Sequence, residues 1–337
     1  MIPRNCSFPV HDWTTLSSYW HPVAFCSDLS DRPFSVTLLD EELVVYRSAG
    51  GIVVARDLCL HRGAPLSAGW IEADEIVCPY HGFRYGTNGR CTKIPAHPDA
   101  PIPAKLSLQT VLSEERYGLV WACLSREPRS PIPQFPQFTD PTFQHFHFEA
   151  LDWNCSAGRS TEGFLDVSHF AWVHAGVLCS RDNPVIPEYS VYPSENGFGF
   201  EYASTYANPI NSDPGDAEGL ALWRRLYELT VPFAALLVTV YPRGGQLVIF
   251  NISAPTSAKR TRIYKLYARN FDQDEPLERM RALENRIYEE DRFVMEKQRP
   301  EELPIDLHEE VHIRADRASI MYRKALSGIG LGRTFTA

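Results

Sequence analysis

Cysteine and histidine alternate twice within a short reach, as Cys59 and His61 in CLHRG and Cys78 and His81 in CPYHG. Thiolate and imidazole both ligate borderline and soft metals, so a Cys–His pair repeated once suggests a four-ligand site. Gly63, Pro65, Pro79 and Gly82 flank the four residues, as tight loops around a small centre require. Farther along, Asp166, His169 and His174 form D-x-x-H-x-x-x-x-H. On an ideal helix Asp166 and His169 share a face, while His174 falls about 140° from His169. A helix there must bend, widen or end if both imidazoles are to reach one ion. The alternative is a pair of unrelated core or surface histidines.

The order of the first four residues bears on the metal. Zinc fingers usually group two cysteines first and two histidines later, whereas here each loop carries one of each. A Rieske [2Fe–2S] centre takes two cysteines on one iron and two histidines on the other. Two similar loops approaching from opposite sides would supply that arrangement. On residue type alone, zinc and an accidental spacing stay open. A mononuclear site at His169 and His174 would need a carboxylate from elsewhere, and the segment DEPLERMRALENRIYEEDRFVMEKQRP offers one. It reads as a helix, with Asp274 placed to cap it, Pro276 in its first turn and Pro300 ending it. Met280, Leu283, Ile287, Val294 and Gln298 fall within roughly 60° on the helical wheel. Asp291 lies inside that stripe, Glu290 on its flank and Glu289 on the opposite side. A carboxylate on an apolar face is costly unless it is paired or metal-bound, so Asp291 reads as a ligand or as one half of a buried salt bridge.

The elements that must hold these residues divide into two styles. WHPVAF, FSVTLLD, ELVVYRS, GIVVARD and YGLVWACL are short β-rich runs punctuated by turns. RSPIPQFPQFTDP, residues 129–141, reads as a linker or a segment wrapped over a surface. The second half is mixed, with a helix near residues 153–176, strands LLVTVYP, QLVIFNISA and RIYKLYARN, and a short last helix from Asp316 to before Gly328. Arg224 and Arg225 read as a solvated helix face, with contact to an anionic substrate as the alternative. His11, His21, His97, His145, His147, His308 and His312 are assigned no role. A net charge of −9 offers nucleic acid no basic field. The longest apolar stretch, Val231 to Tyr241, is eleven residues with a proline inside it, too short to span a bilayer. MIPRNCSFPVHDW lacks the pattern of a secretory signal. The eight cysteines then read as metal ligands and buried thiols rather than disulfides, and the protein as cytoplasmic.

CLHRGAPLSAGW followed by CPYHGFRYGTNGRC resembles the Rieske motif of the Rieske non-haem iron oxygenases. The resemblance implies that Cys59 and Cys78 bind one iron and His61 and His81 the other. DVSHFAWVH resembles the mononuclear iron motif of the same family, in which two histidines and a carboxylate leave coordination positions open for dioxygen. It implies iron ligands at His169 and His174, and a bridging aspartate at Asp166 that links the two centres. EEDRFVMEKQRP resembles the segment around the family's carboxylate ligand, with Asp291 in that place. One departure is Gly163, where relatives often carry Asn. The implied fold is α+β, with an N-terminal segment over 1–19 and an all-β, sandwich-like Rieske domain over 20–128. A catalytic domain over 129–337 follows, with an antiparallel sheet packed by helices in a helix-grip-like arrangement. The implied function is the terminal oxygenase of a multi-component system. NAD(P)H electrons arrive through a reductase, with or without a ferredoxin, and pass from the [2Fe–2S] cluster to mononuclear Fe(II) in a head-to-tail homotrimer. HEEVHIRADRASIMYRKAL and IPAHPD resemble monohydroxylating and oxidatively demethylating members, including those acting on guanidinium toxins. Hydroxylation or demethylation of an aromatic or alkaloid-like molecule is therefore expected. Ring cis-dihydroxylation is the alternative within the class, and an electron carrier without oxygenase activity the alternative outside it.

Overall fold

The computed structural model describes residues 2–182, 184–204, 223–242 and 244–332. The chain divides into two compact units, Met1–Ile132 and Pro133–Ala337. The first opens with α1 (Val10–Leu16) and continues as ten strands: β1 (His21–Phe25), β2 (Phe34–Leu38), β3 (Glu41–Ser48), β4 (Gly51–Arg56), β5 (Trp70–Glu72), β6 (Glu75–Val77), β7 (Arg84–Tyr85), β8 (Cys91–Lys93), β9 (Leu112–Arg116) and β10 (Leu119–Cys123). They form three antiparallel sheets in the orders β1-β10-β9, β2-β3-β4 and β5-β6-β7-β8. The β-branched runs of β3 and β4 make their centres apolar on both faces, and Val44, Val45, Val54 and Ala55 are fully buried. Tyr117 and Gly118, with φ of 58° and 74°, turn β9 into β10. Two successive left-handed residues match the twist of a two-residue hairpin.

The second unit is built on an eight-stranded antiparallel sheet made of β11 (Gln144–His147), β12 (Leu151–Trp153), β13 (Val191–Ser194), β14 (Gly197–Ser204), β15 (Trp223–Thr230), β16 (Ala234–Val240), β17 (Gln246–Ser257) and β18 (Arg260–Arg269). Its order is β11-β18-β17-β16-β15-β14-β13, with β12 also pairing to β18. Between β12 and β13 lie α2 (Ala157–Leu165) and α3 (Phe170–Val173); after β18 come α4 (Glu278–Met295) and α5 (Arg317–Gly328). The architecture is the α+β one expected, an all-β unit and an antiparallel sheet with helices.

Several local expectations change. The helix read from residue 275 begins at Glu278, with Leu277 at its N-cap and no side-chain cap, so Asp274 does not cap it. It ends at Met295, five residues short of Pro300, with cap N–H bonds to Arg292 and Val294. Its buried residues are Met280, Glu284, Ile287, Tyr288 and Met295, so the inner face is rotated from the apolar stripe by about one residue, placing Glu284 and Tyr288 inside. Arg224 and Arg225 stand on β15, not on a helix. Strand alternation puts Arg224 outside, paired with Glu201, and buries Arg225. From residue 133 the proline-rich segment wraps instead of linking, with Phe135 wholly buried and its ring 5.0 Å from that of Phe250 on β17.

Candidate metal centres

The two Cys–His loops close in the same way. The N–H of Cys59 donates to Ala64 and that of Gly63 to Cys59; the N–H of Cys78 donates to Phe83 and that of Gly82 to Cys78. Each loop therefore spans five residues from its cysteine, and the fourth after it is a glycine at positive φ, 72° at Gly63 and 67° at Gly82. The second loop joins β6 to β7, and the first follows β4. Both cysteines are buried in one core with Tyr46, Ile76 and Tyr85. The thiol of Cys78 is pushed up by burial and by the neighbouring Cys59 thiol. The two imidazoles face each other edge to face, 4.6 Å between centroids, and His61 stacks on Phe83 at 4.5 Å. Nδ1 of His61 is buried without a hydrogen-bond partner. Paired sulfurs, paired imidazoles and an orphaned ring nitrogen are the donor set that a two-iron cluster with mixed ligation requires.

In the second unit α2 starts at Ser156, whose hydroxyl accepts from the N–H of Arg159. It ends at Asp166, which is extended, with φ −74° and ψ 129°. Of the three ways to bring both histidines to one point, the chain uses the break. His169 and His174 bracket the single turn of α3. Nδ1 of His169 donates to Asp166 at 3.2 Å, and Nδ1 of His174 donates to Glu290 at 2.9 Å. A carboxylate accepts the proton in each case, which fixes both rings with Nε2 as the free lone pair. The two Nε2 atoms are 3.2 Å apart, and Oδ1 of Asp291 lies 3.5 Å from the first and 2.9 Å from the second. Oδ1 of Asp291 is buried with no hydrogen-bond partner. Two imidazole nitrogens and a carboxylate oxygen converge within 4.8 Å. Such a cluster repels itself unless a cation joins it, so a metal ion fits the site.

The triad occupies one wall of a cavity between the sheet and α4, lined among others by Phe164, Phe170, Leu237, Ile249 and Ile287. Lys265 and Arg225 also reach it. Glu284 is buried beside it, its carboxyl pushed up by burial and held by a hydrogen bond from Tyr267 at 2.7 Å. Gly163 explains its own departure from the family pattern. A Cβ at that position would lie 2.7 Å from Sδ of Met295, so α2 and α4 meet there and a larger residue requires the Met295 side chain to move.

Every residue singled out from the sequence lies in one of these two places. Cys59, His61, Cys78 and His81 come together in the first unit, and His169, His174 and Asp291 in the second, with Asp166 on His169. Sequence reasoning passed over Glu290, which was placed only on the flank of its helix. The available signal was its adjacency to a ligand: a neighbour 100° round the helix reaches the far nitrogen of an imidazole held by Asp291. It also passed over Lys265, hidden in the strand run RIYKLYARN.

Comparison with known proteins shows the family. The Rieske [2Fe-2S] domain matches residues 19–111, and the vanillate O-demethylase oxygenase C-terminal domain matches residues 153–330. The chain is 34% identical to methylxanthine N1-demethylase NdmA of Pseudomonas putida over 92% of its length and 88% of that protein's. It is 30% identical to methylxanthine N3-demethylase NdmB of the same organism, over 94% and 90%. The solved structure of Pseudomonas putida CBB5 NdmA with caffeine matches it with a TM-score of 0.83 at 33% identity, covering 93% of this chain and 91% of that one. The chain belongs to the Rieske non-haem iron oxygenases, as a terminal oxygenase of the monooxygenase and demethylase branch.

Proposed function

We propose that His169, His174 and Asp291 hold the mononuclear iron, that Cys59, His61, Cys78 and His81 hold the [2Fe–2S] cluster, and that the enzyme removes a methyl group oxidatively from a planar N- or O-methylated molecule. The convergence of three metal-ligating atoms on the wall of a largely apolar cavity carries this reading. When bound, the iron supplies dioxygen activation. The chain's own residues do the rest. Asp166 and Glu290 keep the imidazole protons on Nδ1, away from the metal side. Phe164, Phe170 and Ile249 exclude water and present apolar surface to a ring. In balance, one oxygen atom enters a methyl C–H bond and the other leaves as water, taking two electrons and two protons. The resulting carbinol breaks its C–N or C–O bond and releases formaldehyde. Methylxanthines, the molecules named for the related N-demethylases, are the first substrates to test.

The reductase delivers NAD(P)H electrons, directly or through a ferredoxin. We infer a head-to-tail homotrimer in which the cluster of one chain serves the iron of the next through Asp166. The supports are the outward position of Asp166, whose side chain is 30% exposed, and the exposed Trp172 nearby. A cytoplasmic location is proposed on the six cysteines besides Cys59 and Cys78, which form no disulfide and suit a reducing compartment. The test is turnover with a reductase on caffeine and on methoxybenzoates, with oxygen uptake and formaldehyde measured together. One formaldehyde for each methyl lost supports demethylation, and a product keeping its methyl group and gaining a vicinal diol overturns it. A mass in solution of one chain overturns the trimer.

A further inference from the structure

Lys265 is a feature of the cavity that metal ligation and water exclusion leave without a task. It rises from β18 and lines the cavity shared with His169, His174 and Asp291. Its ammonium forms no hydrogen bond or ion pair with any described residue. It lies instead over the Tyr288 ring, 3.6 Å from the centroid, and 5.4 Å from that of Phe164. Glu284 and Asp291 act on it through charge alone, and Glu284 accepts its hydrogen bond from the Tyr267 hydroxyl. Two aromatic faces stabilise the charge but satisfy none of its three N–H donors. The donors are therefore available to a molecule that fills the cavity.

We propose that Lys265 orients the substrate by donating to an oxygen conjugated with its ring, a carboxylate or an imide carbonyl, while the apolar walls hold the ring and turn the methyl group to the metal. This rests on the demethylase reading above and narrows it. The substrate class is a planar methylated compound bearing an acceptor oxygen at the end remote from the reacting methyl. Arg225 lies on the same cavity, while of its two acids Asp291 belongs to the triad and Glu284 accepts from Tyr267, which leaves Lys265 and Arg225 as the cations that can meet an acceptor oxygen.

The test is calorimetric binding to the iron-loaded enzyme of 4-methoxybenzoate beside 4-methylanisole, and of caffeine beside 1-methylindole, which lacks the carbonyls. Lys265→Met is expected to weaken the oxygen-bearing member of a pair about 10- to 100-fold and leave its partner unchanged. Lys265→Arg should recover part of the loss. In turnover the Met variant should also consume more oxygen per formaldehyde, since a misplaced methyl uncouples the reaction. A larger loss for the benzoate marks an anion reader, and equal losses mark a carbonyl donor. Equal weakening of both members of each pair, or no preference for the oxygen-bearing member in the parent protein, overturns the proposal. Iron content and reductase-dependent oxygen uptake, measured alongside, separate its failure from failure of the demethylase reading.

Discussion

Removing the carboxylate of Glu290 tests the metal centre through a residue that touches no metal. Nδ1 of His174 donates to Glu290 at 2.9 Å, and His174 is only 1% exposed, so no water replaces a lost acceptor. In Glu290→Ala the ring keeps a buried, unsatisfied N–H, or moves its proton to Nε2 and forfeits ligation. Either course costs about 1–3 kcal/mol, which agrees with the 10- to 100-fold loss of metal affinity usual for such supporting groups. The ion pair of Glu290 with Arg286, which is 59% exposed, adds little. Asp166 supports His169 in the same manner but is 30% exposed, so water partly substitutes and Asp166→Ala should cost less. Glu289, 69% exposed, serves as the control. Anaerobic competition titration with ferrous iron measures the effect, with the cluster's visible absorbance as the check on folding. Iron affinities of Glu290→Ala and Glu289→Ala that agree within twofold would refute the reasoning, and so would a larger loss in Asp166→Ala.

Other parts of the molecule give independent tests. His21, buried and donating to the Leu16 carbonyl at 3.0 Å, is pushed down by burial to about 4. A depressed histidine leaves the unfolded chain with more protons below pH 6.5, so about 3 kcal/mol of stability present above that pH is lost as pH falls toward 4. Against His21→Gln in the same buffers, the parent should therefore lose thermal stability faster over that window, and parallel curves would exclude it. Tyr85 lies 3.3 Å from Sγ of Cys59, and toward a cluster thiolate its hydroxyl must be the donor. Losing about 1 kcal/mol of preference for the reduced state, Tyr85→Phe should lower the cluster potential by about 40 mV in redox titration, and an unchanged potential would sink that role. Gly163→Asn should destabilise the fold by about 1–3 kcal/mol through its collision with Met295. Adding Met295→Ala should remove the clash penalty, and denaturant melts of the single and double variants decide it.

The proposed ligands were legible because their chemistry is scarce. Few roles other than metal binding demand cysteine and histidine at matched positions beside turn glycines, and an acid on an apolar stripe signals itself by its cost. Asp291 was found on that ground although the stripe used to find it was off by about one residue. The helical wheel ranked Leu283 inside, whereas the structure buries Glu284 and Tyr288. A carboxyl that is hydrogen-bonded by Tyr267 is tolerated at depth, and composition does not show which acids have such partners. The capping error at Asp274 has a similar source, since the sequence offered a good cap residue and the chain started its helix four residues later.

The substrate was not legible for a reason built into the sheet. An edge strand with one wet face reports its orientation by alternating polar and apolar residues, but a strand covered on both sides does not. On β17 the run from Leu247 to Pro255 is buried throughout, and on β18 Tyr264 and Leu266 are as buried as Ile263 and Tyr267. Nothing in QLVIFNISA or RIYKLYARN therefore says which residues see the cavity. Only the register decides it. Lys265 pairs with Asn251, Tyr267 with Ile249 and Arg269 with Leu247, which puts Ile249, Leu247 and Lys265 on the same face as the triad. Thr239 and Arg225, paired on β16 and β15, extend that face to its far end. One lysine and one arginine thus stand at opposite ends of an otherwise largely apolar face. Iron ligation needs a fixed set of donors, whereas substrate choice depends on which inward positions of four strands carry charge. Exchanging Lys265 and Arg225 for apolar residues should consequently change what binds without changing the iron content, and loss of iron in either variant would show that the cavity and the metal wall are not separable.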